Sequence, residues 1–179
     1  MNKTYGYCRV STPQQKIERQ RANILSAYPD AILFEEAYTG TKVEGRKQFE
    51  KLLKVVTAGD TIVFDEVSRM SRNASEGIAI YEDLYSKGVN LVFIKEPHIN
   101  TAVYDDATSN TVPMTGTDVD IILSAINEYM RKLRKQQITL AFNQAEKEVM
   151  YLRVRTSEGI KAVKRRNYLL FSVVIVVFN

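Results

Sequence analysis

A serine set among arginines is the first feature of this chain that could do chemistry. Arg9-Val10-Ser11-Thr12-Pro13-Gln14-Gln15 ends one apolar run, and Asp65-Glu66-Val67-Ser68-Arg69-Met70-Ser71-Arg72 ends another. Arginines brought together repel one another unless an anion lies between them, and their planar forks match the oxygens of a phosphate. A hydroxyl in their midst suits phosphoryl transfer. Taken alone, Ser11 could equally be a helix N-cap or turn residue, and Arg69 and Arg72 a solvated loop pair; their joint placement points to chemistry. The one histidine, His98, lies in a loop stretch and makes a Ser-His-Asp triad a poor reading. Gly40 and Gly45 have the spacing of a phosphate-binding loop, but Arg46 and Lys47 stand where Lys and Ser/Thr are needed, which argues against nucleotide hydrolysis. Asp65 and Glu66, with Glu35 and Glu36, form the alternative of a magnesium-dependent phosphoryl enzyme.

Positioning these groups requires a scaffold, and the first half of the chain alternates strand and helix patterns. Thr4–Val10, Ala31–Phe34, Thr61–Phe64 and Asn90–Ile94 read as short buried strands. Gln14–Tyr28, Arg46–Thr57 and Ser75–Ser86 read as helices, the last with Ser75 as its N-cap. This order predicts an α/β fold, a mostly parallel sheet with helices on both faces, whose reactive groups gather beyond the carboxyl ends of the strands. Residues 97–116 read as a long loop. From Thr117 no Gly or Pro occurs until Gly159, so one long helix is expected, of about 60 Å at 1.5 Å per residue. Its first apolar stripe, Ile122, Ile126, Tyr129 and Leu133, is expected to dock on the body or on a partner subunit; a second runs through Ala141, Ala145, Val149 and Leu152.

Charge separates the chain into a body and an arm. Residues 1–130 hold 14 Lys and Arg against 18 Asp and Glu, whereas residues 131–166 hold 11 against 3. An acidic body with a basic extension is the layout of a protein that lies along a polyanion, most often nucleic acid. The single Cys8 excludes an internal disulfide, the polar N-terminus does not read as a signal peptide, and the apolar run Tyr168–Phe178 is about half of what a bilayer-spanning helix requires. A cytoplasmic protein without a membrane partner is expected.

Four motifs in order then resemble a family. Tyr7-Cys8-Arg9-Val10-Ser11-Thr12-x-x-Gln15, Tyr38-Thr39-Gly40 leading to Arg46, Ser68-Arg69-Met70-Ser71-Arg72 and Ile122-Leu123-Ser124-Ala125-Ile126 are similar to the catalytic domain of the serine site-specific recombinases, the resolvase/invertase group, over roughly residues 3–131. Arg155-Thr156-x-Glu158-Gly159-Ile160 resembles the stretch that follows this family's long helix. The resemblance implies that Ser11 attacks a DNA phosphodiester, giving a 5′-phosphoserine link and a 3′-hydroxyl, without metal, ATP or other cofactor. It gives Arg9, Arg69 and Arg72 the task of stabilising the transferred phosphate, matches Arg46 to the family arginine after the Thr-Gly turn, and makes Gln15 and Gln20 ordering residues. The implied partners are duplex DNA and further copies of the chain, a homodimer that becomes a tetramer during strand exchange. DNA contacts are expected from Arg131, Lys135, Arg153, Arg155, Lys161, Lys164, Arg165 and Arg166, with Arg131 also falling where the family carries an active-site arginine.

The chain departs from the pattern in places. Ser68 stands where many members carry Asp, Met130 where Glu is frequent, and about two dozen residues, roughly Lys132–Tyr151, lengthen the long helix. Residues 1–116 are expected to form the catalytic domain and 117–166 the dimerising helix and basic arm. The apolar stretch 167–179, too short for a helix-turn-helix module, reads as a truncated or non-native end. Two rival functions follow: a dimerising DNA-binding remnant that no longer recombines, and a metal-dependent nuclease using Asp65, Glu66 and Glu35.

Overall fold

The computed structural model describes residues 2–11, 17–38, 45–103 and 112–177, with backbone alone for Ala162 and from Lys164 onward. The strands are β1 (Thr4–Val10), β2 (Ile32–Ala37), β3 (Thr61–Phe64) and β4 (Asn90–Phe93). They form one parallel sheet in the order β2-β1-β3-β4. The helices are α1 (Glu18–Ala27), α2 (Lys47–Val55), α3 (Val67–Met70), α4 (Ala74–Ser86) and α5 (Asp120–Val177). The expected α/β sheet with helices on both faces is what the chain forms.

Strand alternation assigns the two faces. Tyr5 and Tyr7 of β1, Ile62 and Phe64 of β3 and Leu91 and Phe93 of β4 point to one side, where Phe49 and Leu52 of α2, Val67 and Met70 of α3 and Tyr81 and Leu84 of α4 complete the larger core. On the other side Cys8 and Val63 meet Ile24 of α1, with Leu33 and Val92 at the margin. Gly6 lets α1 approach closely: a Cβ there would come 2.6 Å from Leu33 Cδ2 and 2.8 Å from Ile24 Cγ2.

Several boundaries differ from the sequence pattern. β2 runs on through Glu35 and Glu36, because its ladder with β1 continues to the Val10–Ala37 pair. The cap of α4 is Asn73, whose side chain accepts from the Glu76 N–H at 2.9 Å; Ser75 lies inside the helix and donates to Asn73 Oδ1. α3 is a single turn, too short to show a period. Within the stretch expected as loop, Pro97–Ile99 forms a 3₁₀ turn, and Asn100 and Thr101 return to β4, accepting from the Phe93 N–H at 2.7 Å and the Leu91 N–H at 2.9 Å. These side chains occupy backbone donors of an edge strand. Residues 104–111 lie outside the described residues.

The long helix runs past Gly159 to Val177. One glycine costs about 1 kcal/mol relative to alanine, too little by itself to end a long helix. The chain divides into compact units at residues 1–145 and 146–179. In the first unit α5 docks through Ile138, Ala141, Phe142 and Ala145, a spacing that lines one helix face. The earlier stripe of Ile122, Ile126, Tyr129 and Leu133 is largely exposed and is not part of the packed core among the described residues; of the four, Leu133 alone lines a cavity with Ile99 and Val103 of the body. A slot decides the difference: Phe142 sits over Gly77 of α4, at 6.4 Å from the Phe93 ring, and a Cβ on Gly77 would meet it at 2.4 Å. In the second unit the described side chains of 151–161 are exposed. Among the described residues no helix is long and apolar enough to cross a membrane.

Two glycine substitutions should therefore act in opposite directions. Gly77→Ala gains about 1 kcal/mol of helix propensity but overpacks Phe142, at a cost of about 1–3 kcal/mol, and is expected to lower the urea midpoint. Gly159→Ala meets nothing within 4 Å and is expected to raise helicity measured by circular dichroism. Equal effects at both positions would contradict the Phe142 slot.

Candidate active site

The site is built where β1 ends and α3 turns. Period two carries Arg9 to the same face as Tyr5 and Tyr7, so its guanidinium enters the sheet's larger core and is 1% exposed. Val67 and Met70, fully packed, anchor α3 beside it. A helix leaves its last carbonyls without intrahelical partners, and here arginines take them. Arg9 donates from Nη2 to the Ser68 carbonyl and from Nε to the Arg69 carbonyl at 3.3 Å. Arg46, also 1% exposed, donates to the Met70 carbonyl at 2.5 Å and to the Arg69 carbonyl at 3.0 Å.

Arg46 is held from its other side as well. Its Nε and Nη2 lie 3.1 and 3.0 Å from the Tyr7 hydroxyl, its guanidinium packs 4.3 Å from the Phe49 ring centroid, and Glu36 Oε1 is 3.7 Å away. The Tyr7 hydroxyl donates to Glu36. Burial first, then Glu36, raises the Tyr7 phenol well above its ordinary range despite Arg46, which keeps it a neutral donor. Gln20, 4% exposed, clamps the backbone of Arg9 by accepting from its N–H at 3.0 Å and donating to its carbonyl at 2.9 Å. The ordering part expected of Gln20 thus has a geometric form; Gln15 lies outside the described residues.

Ser11 follows this frame directly, and its Oγ accepts from Arg72 Nη2. The competing hydroxyls of the second motif are engaged elsewhere. Ser68 Oγ donates to Glu66 at 2.5 Å. Ser71 Oγ lies 2.9 Å from the Asn73 carbonyl and 3.0 Å from Glu76 Oε2, and accepts from the Asn73 N–H. Arg69 donates to the Arg9 carbonyl at 3.3 Å and pairs with Glu66 at 2.8 Å. Burial, and after it the charges of Arg72 and Arg46, push Arg9 down to about 9, so it remains a cation at neutral pH under mutual repulsion. An anion bound among these guanidiniums would relieve that repulsion. Burial likewise pushes the Cys8 thiol up to about 12, which makes it inert.

The carboxylates of the metal-dependent alternative are each tied to a cation. Glu35 holds Arg21 at 2.7 Å, Asp65 takes Lys95 at 3.0 Å and Asn23 at 2.7 Å, and Glu66 takes Lys95 at 2.6 Å. Among the described residues no cluster of three or more His, Cys, Asp or Glu is placed to hold a metal ion. On α5, Arg131 pairs with Glu128 of its own helix at 3.0 Å, and Lys135 reaches Glu82 of α4 at 2.6 Å. Arg153, Arg155 and Lys161 are exposed, and the side chains of Lys164, Arg165 and Arg166 lie outside the description.

Sequence reasoning gave Lys95 no part, named Tyr7 only within the first motif, and placed Glu36 among the carboxylates of the metal-dependent alternative rather than beside Arg46. The parallel register, which sets Arg9 opposite Glu36, is the signal that would have found Glu36, but it requires knowing which strands pair.

Comparison with known proteins adds a second line of observation. The family described as "Resolvase, N terminal domain" matches residues 4–151. A resolvase of Clostridium perfringens is 26% identical over 162 residues, taking in 90% of this chain and 71% of that protein. The transposon Tn21 resolvase of Escherichia coli is 29% identical over 161 residues, 90% of this chain and 70% of its own length. The DNA-invertase hin of Salmonella typhimurium is 37% identical over 87 residues, which is 49% of this chain and 45% of the invertase.

Proposed function

The chain belongs to the resolvase N-terminal domain family, and from that premise we propose that it is a serine recombinase that cuts and rejoins duplex DNA. Ser11 Oγ attacks a phosphodiester phosphorus, its proton leaves, and the 3′-oxygen of the DNA departs as a hydroxyl, leaving a 5′-phosphoserine link. The reverse attack by a 3′-hydroxyl frees Ser11. One ester replaces another at each step, so the bond energy is conserved and neither ATP nor another cofactor enters the balance. Arg72, donating to Ser11 Oγ, meets the phosphate with the nucleophile. Arg9, Arg46 and Arg69 supply positive charge fixed before the reaction, so that little reorganisation accompanies charge build-up on the phosphate.

The observation that carries this reading is the joint one: a serine at the end of β1, hydrogen-bonded to Arg72, beside arginines whose own hydrogen bonds fix them to α3. Homodimers, and tetramers for strand exchange, belong to the same proposal; the exposed stripe of Ile122, Ile126, Tyr129 and Leu133 supplies an apolar face for a second copy. Incubation with end-labelled nicked duplexes, followed by denaturing electrophoresis and peptide mapping, tests it. A protein–DNA adduct mapped to Ser11 is expected. An adduct elsewhere, or one that requires a divalent cation, would refute the assignment, and no adduct at all would favour a DNA-binding remnant.

The arm carries a separate prediction. Of the 11 cations from Arg131 to Arg166, about half facing a duplex would give a log-log salt slope of about −5, with little preference among random sequences. Titration between about 50 and 200 mM salt checks this, and tight site-selective binding at the upper end would contradict it.

A further inference from the structure

Position 68 carries a serine, so the turn that presents Arg69 has no carboxylate at the residue just before it. A carboxylate arrives from two residues further back. Glu66 receives Arg69 Nη2 at 2.8 Å, Ser68 Oγ at 2.5 Å and Lys95 Nζ at 2.6 Å. Lys95 is itself fixed by the fully buried Asp65 at 3.0 Å. Asp65, Lys95, Glu66 and Arg69 therefore form a chain of alternating charge from the end of β3 to the catalytic cluster. Arg69 ends it with a side chain only 17% exposed and a buried Nε that has no hydrogen-bond partner among the described residues.

Resting on the recombinase reading, we infer that Glu66 is the positioning residue for Arg69, with Ser68 and Lys95 holding its carboxylate in place. Two physical points support it. An arginine among Arg9, Arg46 and Arg72 is repelled by each of them, and an opposite charge in contact offsets that repulsion where hydrogen bonds to neutral groups do not. Glu66 also stays ionised: burial alone would raise its carboxyl, but the hydrogen bonds from Lys95 and Ser68 and the charge of Arg69 together hold it below the usual range.

The geometry makes the carboxylate transferable. Ser68 Oγ lies 2.5 Å from the oxygen that Glu66 presents to Arg69, so Ser68→Asp places a carboxylate oxygen close to that spot. Glu66→Gln is expected to slow adduct formation by about tenfold to a hundredfold, the scale of a misplaced catalytic group. Glu66→Gln with Ser68→Asp is expected to fold and to return to within about threefold of the wild-type rate, because the two positions are coupled. A merely structural loss at position 66 would not be repaired by a second substitution at 68.

Arginine-labelled protein gives a readout that does not depend on DNA cleavage. The Arg69 Nε–H signal, assigned by its loss in Arg69→Lys, should exchange at least about tenfold faster in Glu66→Gln and recover in the double variant. A Glu66→Gln chain with unchanged Arg69 exchange, or a double variant that is unfolded or shows no recovery, overturns the inference. Absence of any adduct from the wild-type chain would count against the recombinase reading alone, since the exchange measurement still decides the part played by Glu66.

Discussion

Ser11→Ala is expected to lower covalent attachment to DNA below detection, a loss of more than about a thousandfold, because it removes the atom that forms the bond. Folding and duplex binding should stay near wild type. Ser11 is outside the packed core, at the end of β1, where its Oγ accepts from Arg72. The hydroxyls that could substitute are poorly placed to do so: Ser68 is bound to Glu66, and Ser71 is built into the turn that begins α4. Adduct formation measured on nicked duplexes, beside a filter-binding titration, separates the two effects. Cleavage by the alanine variant at more than a few per cent of the wild-type rate would remove Ser11 from the mechanism.

The second large effect is on stability. Arg46, itself 1% exposed, donates to the Met70 and Arg69 carbonyls and to Tyr7, and lies beside Glu36. Alanine at this position leaves the Met70 carbonyl, a phenol and a nearly buried carboxylate without their cation, and the Arg69 carbonyl with Arg9 alone. Removing one partner of a buried ion pair costs about 3–5 kcal/mol, a large part of a typical domain's stability. Lysine keeps the charge, but one ammonium cannot span Met70, Arg69 and Tyr7 together. The expected order of urea midpoints is therefore wild type, then Arg46→Lys, then Arg46→Ala, with cleavage lost in both variants. The chain contains no tryptophan, so near-ultraviolet dichroism of the buried tyrosines Tyr5, Tyr7 and Tyr81 is the suitable probe. An alanine variant within about 1 kcal/mol of wild type would show that these carbonyls find other partners, as exposed groups do.

These two residues also illustrate what could be read before the fold was known. Ser11 and the arginines of the second motif were legible because strand ends leave a local trace: an apolar run that stops at polar residues. The parallel α/β class was legible for the same reason, as was the long helix, whose period continues for many turns. Local pattern determined the elements and the residue types at their ends.

Pairing and packing were decided only in three dimensions. That Arg46 is a buried strut, gripping α3 from the start of α2, depends on contacts with Met70 and Tyr7, 24 and 39 residues away in sequence. The sequence motif shows a cation and cannot show that its donors are spent on helix-end carbonyls. The docking face of α5 is a similar case. Two apolar stripes read alike along the helix, but the face that docks carries Ile138 and Phe142, which neither stripe included, beside Ala141 and Ala145, while Leu152 of the second stripe is exposed; the slot for Phe142 exists because Gly77, on another helix, lacks a side chain. The cap of α4 at Asn73 rather than Ser75, and the carboxylate at Glu66 rather than at position 68, turn on shifts of two residues. Sequence period locates a helix or strand, whereas hydrogen-bond partners are selected within about 3 Å, a scale set by tertiary contacts that no local pattern records.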